Sequence, residues 1–230
     1  MFDNPKSDSP TWFDRYQPAS LDQCVLTACI RSQLETIIRK RAVPNLLLIG
    51  PPGVGKTTTM KRVLEALHPD VNFEMIRAAD QRFDNYLRAK LALQNAHLRA
   101  KLRMTGGFRV LDGKMVLFID ELDELSIKDQ KSVRPAIDAA MLDCSFVATA
   151  NVASKIDPAL KSRFRTLDFC PPITFSDAND PYATEVTDRM CCILTNERKP
   201  FDRSDVEQLV QDFGMNIRDC INELQARYDC

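Results

Sequence analysis

The chain has 230 residues, 44% hydrophobic and 27% charged, enough for one large and one small domain, which excludes a disordered tail or a minimal peptide scaffold. Thirty-one basic against thirty-two acidic residues leave a net charge of −1, so bulk charge announces neither a nucleic-acid binder nor a membrane-surface binder, and any DNA contact must come from a local patch. No apolar run approaches the ~18–20 residues that span a bilayer, and residues 1–10 are polar with no apolar leader core, so the expectation is a cytoplasmic protein without membrane contact.

Eight cysteines stand at 24, 29, 144, 170, 191, 192, 220 and 230, with no Cys-x-x-Cys pair and only two histidines to assist. That spacing argues against a zinc site or a disulfide framework and for scattered reduced core thiols.

In chain order, residues 1–11 carry prolines, serines and aspartates without periodicity and read as a flexible lead-in, with order beginning near Trp12. Leu34, Ile37 and Ile38 recur at helical spacing beside Ser32-Gln-Leu-Glu35, a capping-box pattern, so a helix is predicted before Pro44. Asn45 to Ile49 is a short continuous apolar run stopped by Gly50-Pro51-Pro52, as in a strand buried on both faces. A helix from Thr57 to about Leu67 follows, then a strand from Asn72 to Arg77 and a long helix from Phe83 to Arg103 ending at Gly106-Gly107. Met115 to Ile119 reads as another buried strand, Lys128 to Met141 as a helix and Ser145 to Thr149 as a further strand. This alternation predicts an α/β fold, a parallel sheet with helices on both faces, over residues 12–172. Beyond Phe169-Cys-Pro-Pro172 the pattern is helical throughout: Thr184 to Thr195, Ser204 to Phe213 with the capping box Ser204-Asp-Val-Glu207, and Ile217 to Tyr228. These three helices predict a small second domain over 173–230.

Gly50, Pro51, Pro52, Gly53, Val54, Gly55, Lys56 and Thr57 fit G-x-x-x-x-G-K-[ST] at every specified position, between a predicted buried strand and a predicted helix. The glycines let the backbone fold into a nest of N–H groups around phosphates, and the helix N-terminus adds its positive end, bringing in Thr58. Lys56 would reach the β- and γ-phosphates of ATP, and Thr57 would offer its hydroxyl to Mg2+. Val116-Leu-Phe-Ile-Asp120-Glu121 ends an apolar strand with two acids, a Walker B pattern. It places Asp120 at the carboxyl edge of the sheet as the second Mg2+ ligand, and Glu121 as the group that polarises the attacking water. Asp123 and Glu124 read as a solvated loop. Thr149-Ala-Asn151 closes the next strand, so Asn151 would hold the γ-phosphate or the lytic water from the same edge.

The order P-loop, Asp120-Glu121, Asn151, Ser162-Arg163-Phe164 and then a helical domain containing Arg218 resembles an AAA+ ATPase, and within that superfamily the sliding-clamp loaders. Trp12-Phe-Asp-Arg15-Tyr16-Gln-Pro18 followed by Leu21-Asp-Gln-Cys-Val25 is similar to the opening of replication factor C small subunits and their phage counterparts, where Lys-Tyr-Arg-Pro is usual and lies over the adenine base. The resemblance implies adenine contacts for Phe13, Arg15, Tyr16 and Val25. Ala78-Ala-Asp80-Gln81 and Tyr86-Leu-Arg88 look like the family's Asn-Ala-Ser-Asp segment and the helix after it. Leu125 to Arg134 looks like the helix that faces template duplex, with Pro135 where a second Arg is common. A proline inside a helix costs ~3 kcal/mol and bends it.

Leu160-Lys-Ser162-Arg163-Phe164 resembles the loaders' Ser-Arg-Cys box, which makes Arg163 an arginine finger on a neighbouring subunit's nucleotide, with Arg165 the alternative one register along. Gly214-Met-Asn-Ile-Arg218 resembles the Gly-Asp-Met-Arg stretch whose Arg touches the γ-phosphate in cis. The resemblance runs from residue 12 to 228 and implies a ring of AAA+ subunits, identical or mixed, a sliding clamp and primer-template DNA as partners, in a chain lacking the helical collar that follows the lid in such loaders. Arg77, Arg82, Arg88, Lys90, Arg99, Lys101 and Arg103 form a basic stretch suited to DNA or to a solvated helix face. Two other classes stay open at this point: a nucleotide-dependent switch or adaptor with low turnover, and another AAA+ DNA remodeler such as a helicase loader.

Overall fold

The computed structural model describes residues 9–67, 74–77, 115–141, 144–171 and 180–229. The helix expected from Phe83 to Arg103 and most of the basic stretch lie outside them. Contacts gather the chain into two compact units that do not follow chain order: Met1–Ser32, Gly50–Ala66 and Phe169–Cys230 in one, Gln33–Ile49 and Leu67–Asp168 in the other.

The second unit holds a five-stranded parallel sheet in the order β2-β3-β4-β1-β5. Its strands are β1 (Leu46–Ile49), β2 (Glu74–Arg77), β3 (Met115–Asp120), β4 (Cys144–Ala150) and β5 (Arg165–Asp168). Every residue of β1 and β4 is buried, which is why both read as unbroken apolar runs rather than alternating ones. On one face Leu47, Ile49, Leu117, Ile119, Phe146 and Ala148 share a core with Val133, Ile137 and Ala140. Leu46, Leu48, Phe118 and Val147 point the other way and are buried as well, so the α/β expectation with both faces covered holds. β5 carried no signal in the sequence because only Leu167 of its four residues is buried.

The helix that supplies that core face, Ile127–Ala140, is opened by the Ser126 side chain, which accepts from Asp129 N–H, and it runs unbroken through Pro135. Its buried Gln130 donates from Nε2 to Leu125 O at 3.0 Å and Lys155 O at 2.9 Å, and accepts Asp157 N–H on Oε1 at 2.7 Å. Replacing Gln130 by Leu keeps most of the volume but strands three backbone groups, each costing ~1–3 kcal/mol when buried without a partner. Urea unfolding of Gln130→Leu is expected to show a loss of ~3 kcal/mol or more at unchanged m-value; a loss below ~1 kcal/mol would mean that water replaces the amide.

The first unit centres on three helices: α6 (Pro181–Asn196), α7 (Arg203–Asp212) and α8 (Ile217–Tyr228), numbered after α1 (Trp12–Arg15), α2 (Ala28–Lys40), α3 (Lys56–Leu67), α4 (the Gln130 helix) and α5 (Pro158–Lys161). Trp12, Tyr16 and Val25 are buried in one core with Val186, Met190, Ile193, Leu209 and Leu224. The N-terminal segment is thus built into the helical unit, and polar bonds repeat the attachment. Gln225 accepts Trp12 N–H at 2.8 Å and donates to Pro10 O at 2.7 Å. Glu197 Oε1 takes both the Arg15 guanidinium and the Tyr16 hydroxyl at 2.7 Å.

Both capping boxes are displaced from where the sequence suggested. Thr27 caps α2, accepting Ile30 N–H on Oγ1 at 3.5 Å, so Ser32 and Glu35 are interior. Asp202 caps α7 by accepting Ser204 N–H at 2.9 Å, while Glu207 receives Arg203 at 2.9 Å. In each case an alternative cap residue stood a few positions earlier, and tertiary packing chose it. No cysteine among the described residues forms a disulfide. Only Cys24, Cys144 and Cys220 are core thiols; Cys191 and Cys192 are half-buried and Cys29 and Cys170 exposed. No helix among the described residues is long and apolar enough to cross a membrane.

Candidate nucleotide site

The chain leaves β1 at Ile49 and enters the glycine-rich loop directly. Gly53 and Gly55 have φ of +83° and +89°, the left-handed region that glycine reaches without Cβ strain. A Cβ on Gly53 would also lie 2.0 Å from Asn216 Oδ1, because the start of α8 sits against the loop. Asn216 Nδ2 donates to Pro52 O at 3.0 Å, and Arg218 N–H donates to Gly53 O at 3.3 Å. Lys56 is 7% exposed, and its Nζ donates to Gly50 O at 2.6 Å and Pro51 O at 2.8 Å. An ammonium held this deep needs oxygen acceptors on every side; here the loop's own carbonyls provide two. Thr57 and Thr58 are half-buried in the first turn of α3, at the helix end whose N–H groups favour anions.

Beside the loop, in the same unit, lies an open cleft. Of the residues assigned to the base, Phe13, Tyr16 and Val25 line it together with Gly53, Val54, Gly55 and Thr58. Arg218 is there too, its guanidinium carbon 5.2 Å from the centre of the Phe13 ring, within cation–π range. Arg15 does not line the cleft; Glu197 draws its guanidinium away, and Arg15 Nε donates to Ser9 O at 3.0 Å. The sequence reading missed Gln17, Pro18, Gln23, Cys24, Thr59, Arg189, Ile217 and Ile221, which complete the lining. Arg189 is 4% exposed and donates to Tyr16 O. Burial holds its pKa below the usual arginine value. Nothing in the helical pattern distinguished it from a solvated charge.

In the other unit Asp120 ends β3 half-buried and Glu121 follows it, exposed, at φ 58° and ψ 47°. That left-handed conformation is uncommon for a residue with a Cβ and costs ~1–3 kcal/mol. Thr149, near the end of β4, donates from Oγ1 to Asp120 Oδ1 at 2.6 Å and accepts Glu121 N–H at 2.9 Å. Asp123 corrects the expectation of a solvated loop: it is 5% exposed and accepts Asn151 N–H at 3.1 Å and Val152 N–H at 3.0 Å. A short acidic run read as solvent-facing because its neighbour Glu124 is, whereas the 3-10 turn Leu122–Glu124 directs Asp123 inward. Asp120, Glu121 and Asn151 therefore stand at one sheet edge.

Arg163 follows α5 and forks onto Asp138 of α4, with Nε–Oδ1 2.9 Å and Nη2–Oδ2 3.1 Å. The bond to Arg163 holds the Asp138 carboxyl below the usual carboxylate range. Arg165 points from β5 to Gln33 Oε1 at 2.7 Å.

The glycine-rich loop of one unit, and in the other a parallel α/β sheet with acidic residues at a strand end, are features of a P-loop α/β fold. The profile of the AAA family, "ATPase family associated with various cellular activities", matches residues 46–171, and the chain belongs to that family. It is similar to the replication factor C small subunit of Natronomonas pharaonis, 28% identical over 94% of this chain and 61% of that protein. The Methanococcus maripaludis protein of the same name is 26% identical over 94% of this chain and 64% of its own length. That of Methanococcus vannielii is 31% identical over 70% of this chain and 49% of its own. The chain thus spans somewhat less than two thirds of the relatives it matches. Among solved structures, RuvB of Thermotoga maritima has a like fold, with a TM-score of 0.63 and 19% identity over 91% of this chain and 64% of that one.

Proposed function

We propose that this chain is the ATP-hydrolysing subunit of a DNA sliding-clamp loader, which uses ATP binding to close a ring of AAA+ subunits around a clamp and primer-template DNA and hydrolysis to release them. The observation that carries the reading is the buried Lys56 ammonium in the glycine-rich loop beside the Phe13–Arg218 cleft, in a chain similar to replication factor C small subunits over 94% of its length.

In this reading Gly50 to Thr58 wrap the phosphates, and Lys56 leaves the Gly50 and Pro51 carbonyls for the β- and γ-phosphates. Phe13, Tyr16 and Val25 hold the base, and Arg218 reaches the γ-phosphate from α8. The Thr57 hydroxyl and Asp120 carboxylate are hard oxygen donors of the kind Mg2+ prefers, and they would hold it. When bound, Mg2+ neutralises charge developing on the transferred phosphoryl group. Glu121 polarises the attacking water, and Asn151 fixes the water or the γ-phosphate. Arg163 completes the site of a neighbouring subunit. The exposed Lys128 and Lys131 of α4 would meet template duplex, and the helical part after residue 172 supplies the movement between nucleotide states. The compartment proposed for such an assembly is the cytoplasm.

Steady-state ATP turnover measured over a wide protein concentration range, with and without primer-template DNA and a clamp, tests the proposal. Turnover per subunit should rise with concentration and again with DNA, and the DNA effect should fall steeply with salt. ATP binding with turnover that stays negligible under every condition would replace the motor with a nucleotide switch.

A further inference from the structure

The ends of β3 and β4 are tied by reciprocal bonds: a side chain of each strand end takes backbone N–H groups of the other, and one of the two also reaches a side chain. Thr149 on β4 accepts the Glu121 N–H and donates to the Asp120 carboxylate. Asp123, just past β3, accepts the Asn151 and Val152 N–H groups, one on each carboxylate oxygen. Both side chains are buried, Thr149 at 1% and Asp123 at 5% exposure, so neither bond is exchanged readily for water. A left-handed residue outside glycine persists only where its surroundings over-determine it, and the Thr149 bond to the Glu121 N–H is one such restraint.

We infer that Thr149 and Asp123 are positioning residues for the hydrolysis proposed above: Thr149 aims the Glu121 side chain and orients the Asp120 carboxylate, and Asp123 fixes the backbone that carries Asn151. The inference rests on the roles given to Glu121 and Asn151. A threonine hydroxyl is at once donor and acceptor, which the arrangement at 149 requires. Valine has the same shape and offers neither function. At 123 both oxygens accept, so asparagine could serve one N–H and would turn its own amide hydrogens toward the other.

The test compares native protein with Thr149→Val, Thr149→Ser, Asp123→Asn and Glu121→Gln, under the conditions of greatest native turnover. For each, kcat, KM, affinity for a fluorescent ATP analogue and melting temperature are measured. Misplacing a catalytic group by about 1 Å costs ~10²-fold. Thr149→Val and Asp123→Asn should therefore lower kcat by ~10- to 100-fold with analogue affinity within about two-fold of native, and Thr149→Ser should recover most of the loss. If Glu121→Gln stops turnover while Thr149→Val and Asp123→Asn leave kcat intact, or lower it only with the folded fraction and without recovery by serine, the positioning role is overturned. If Glu121→Gln turns over ATP as fast as native protein, the hydrolytic reading of Glu121 falls, and the inference with it.

Discussion

Replacing Arg163 by alanine is expected to lower ATP turnover of the assembled protein by ~10³- to 10⁵-fold, the range an arginine finger supplies, while ATP affinity of the dilute chain stays near native. Arg163 forks onto Asp138, and both side chains are partly solvated, at 29% and 42% exposure. A solvent-screened pair of this kind contributes little to folding, so a large kinetic loss at an unchanged melting temperature would report chemistry rather than damage. The Asp138 pKa lies below its usual value because of the Arg163 bond. The pair's contribution is therefore fully present above the ordinary carboxylate pKa and is lost only as the pH falls through the depressed one, and at neutral pH it is intact.

Mixing Arg163→Ala with Glu121→Gln subunits makes the decisive measurement. A finger acting on a neighbour's nucleotide lets the intact Glu121 of one variant meet the intact Arg163 of the other, so two inactive proteins should recover part of the native rate. No recovery from a mixture that assembles normally would place any action of Arg163 within its own subunit.

Lys56→Ala should weaken ATP binding by ~10²- to 10⁴-fold, because two hydrogen bonds to charged phosphate oxygens are worth ~1.5–3 kcal/mol each. The loss is not compensated by the fold, since Lys56 already donates to the Gly50 and Pro51 carbonyls, and its removal deprives those acceptors as well. Titration with a fluorescent ATP analogue gives the affinity directly. Thermal unfolding gives it independently, because a ligand that binds only the native state stabilises it in proportion to the logarithm of its saturation. Native protein should melt higher with millimolar Mg-ATP and Lys56→Ala should not; an equal upward shift in both would move the phosphates away from this loop.

Much of the candidate site is legible in order along the chain. Gly50 to Thr57 is a contiguous motif whose backbone conformation and helix end are local properties, and Asp120 and Asn151 follow apolar runs that place them at strand ends. Contiguous chemistry of this kind needs no tertiary information. Helix limits were nearly as legible, since Ile217–Tyr228 is where amphipathic spacing put it. The capping residues were not, because Thr27 and Ser32, or Asp202 and Ser204, are locally equivalent and only packing separates them.

What local pattern determined here is the class of fold, the glycine-rich loop and the strand-end carboxylates, all of which depend on burial period and on residues adjacent in the chain. What the tertiary structure decided is which distant side chains complete them. It sent Arg15 to Glu197 and not to the cleft, brought the buried Arg189 into the cleft lining, turned Asp123 inward onto Asn151, and paired Arg163 with Asp138. An arginine or an aspartate looks the same in sequence whether it is solvated or buried; only the partner that the fold carries within about 3 Å gives it a role.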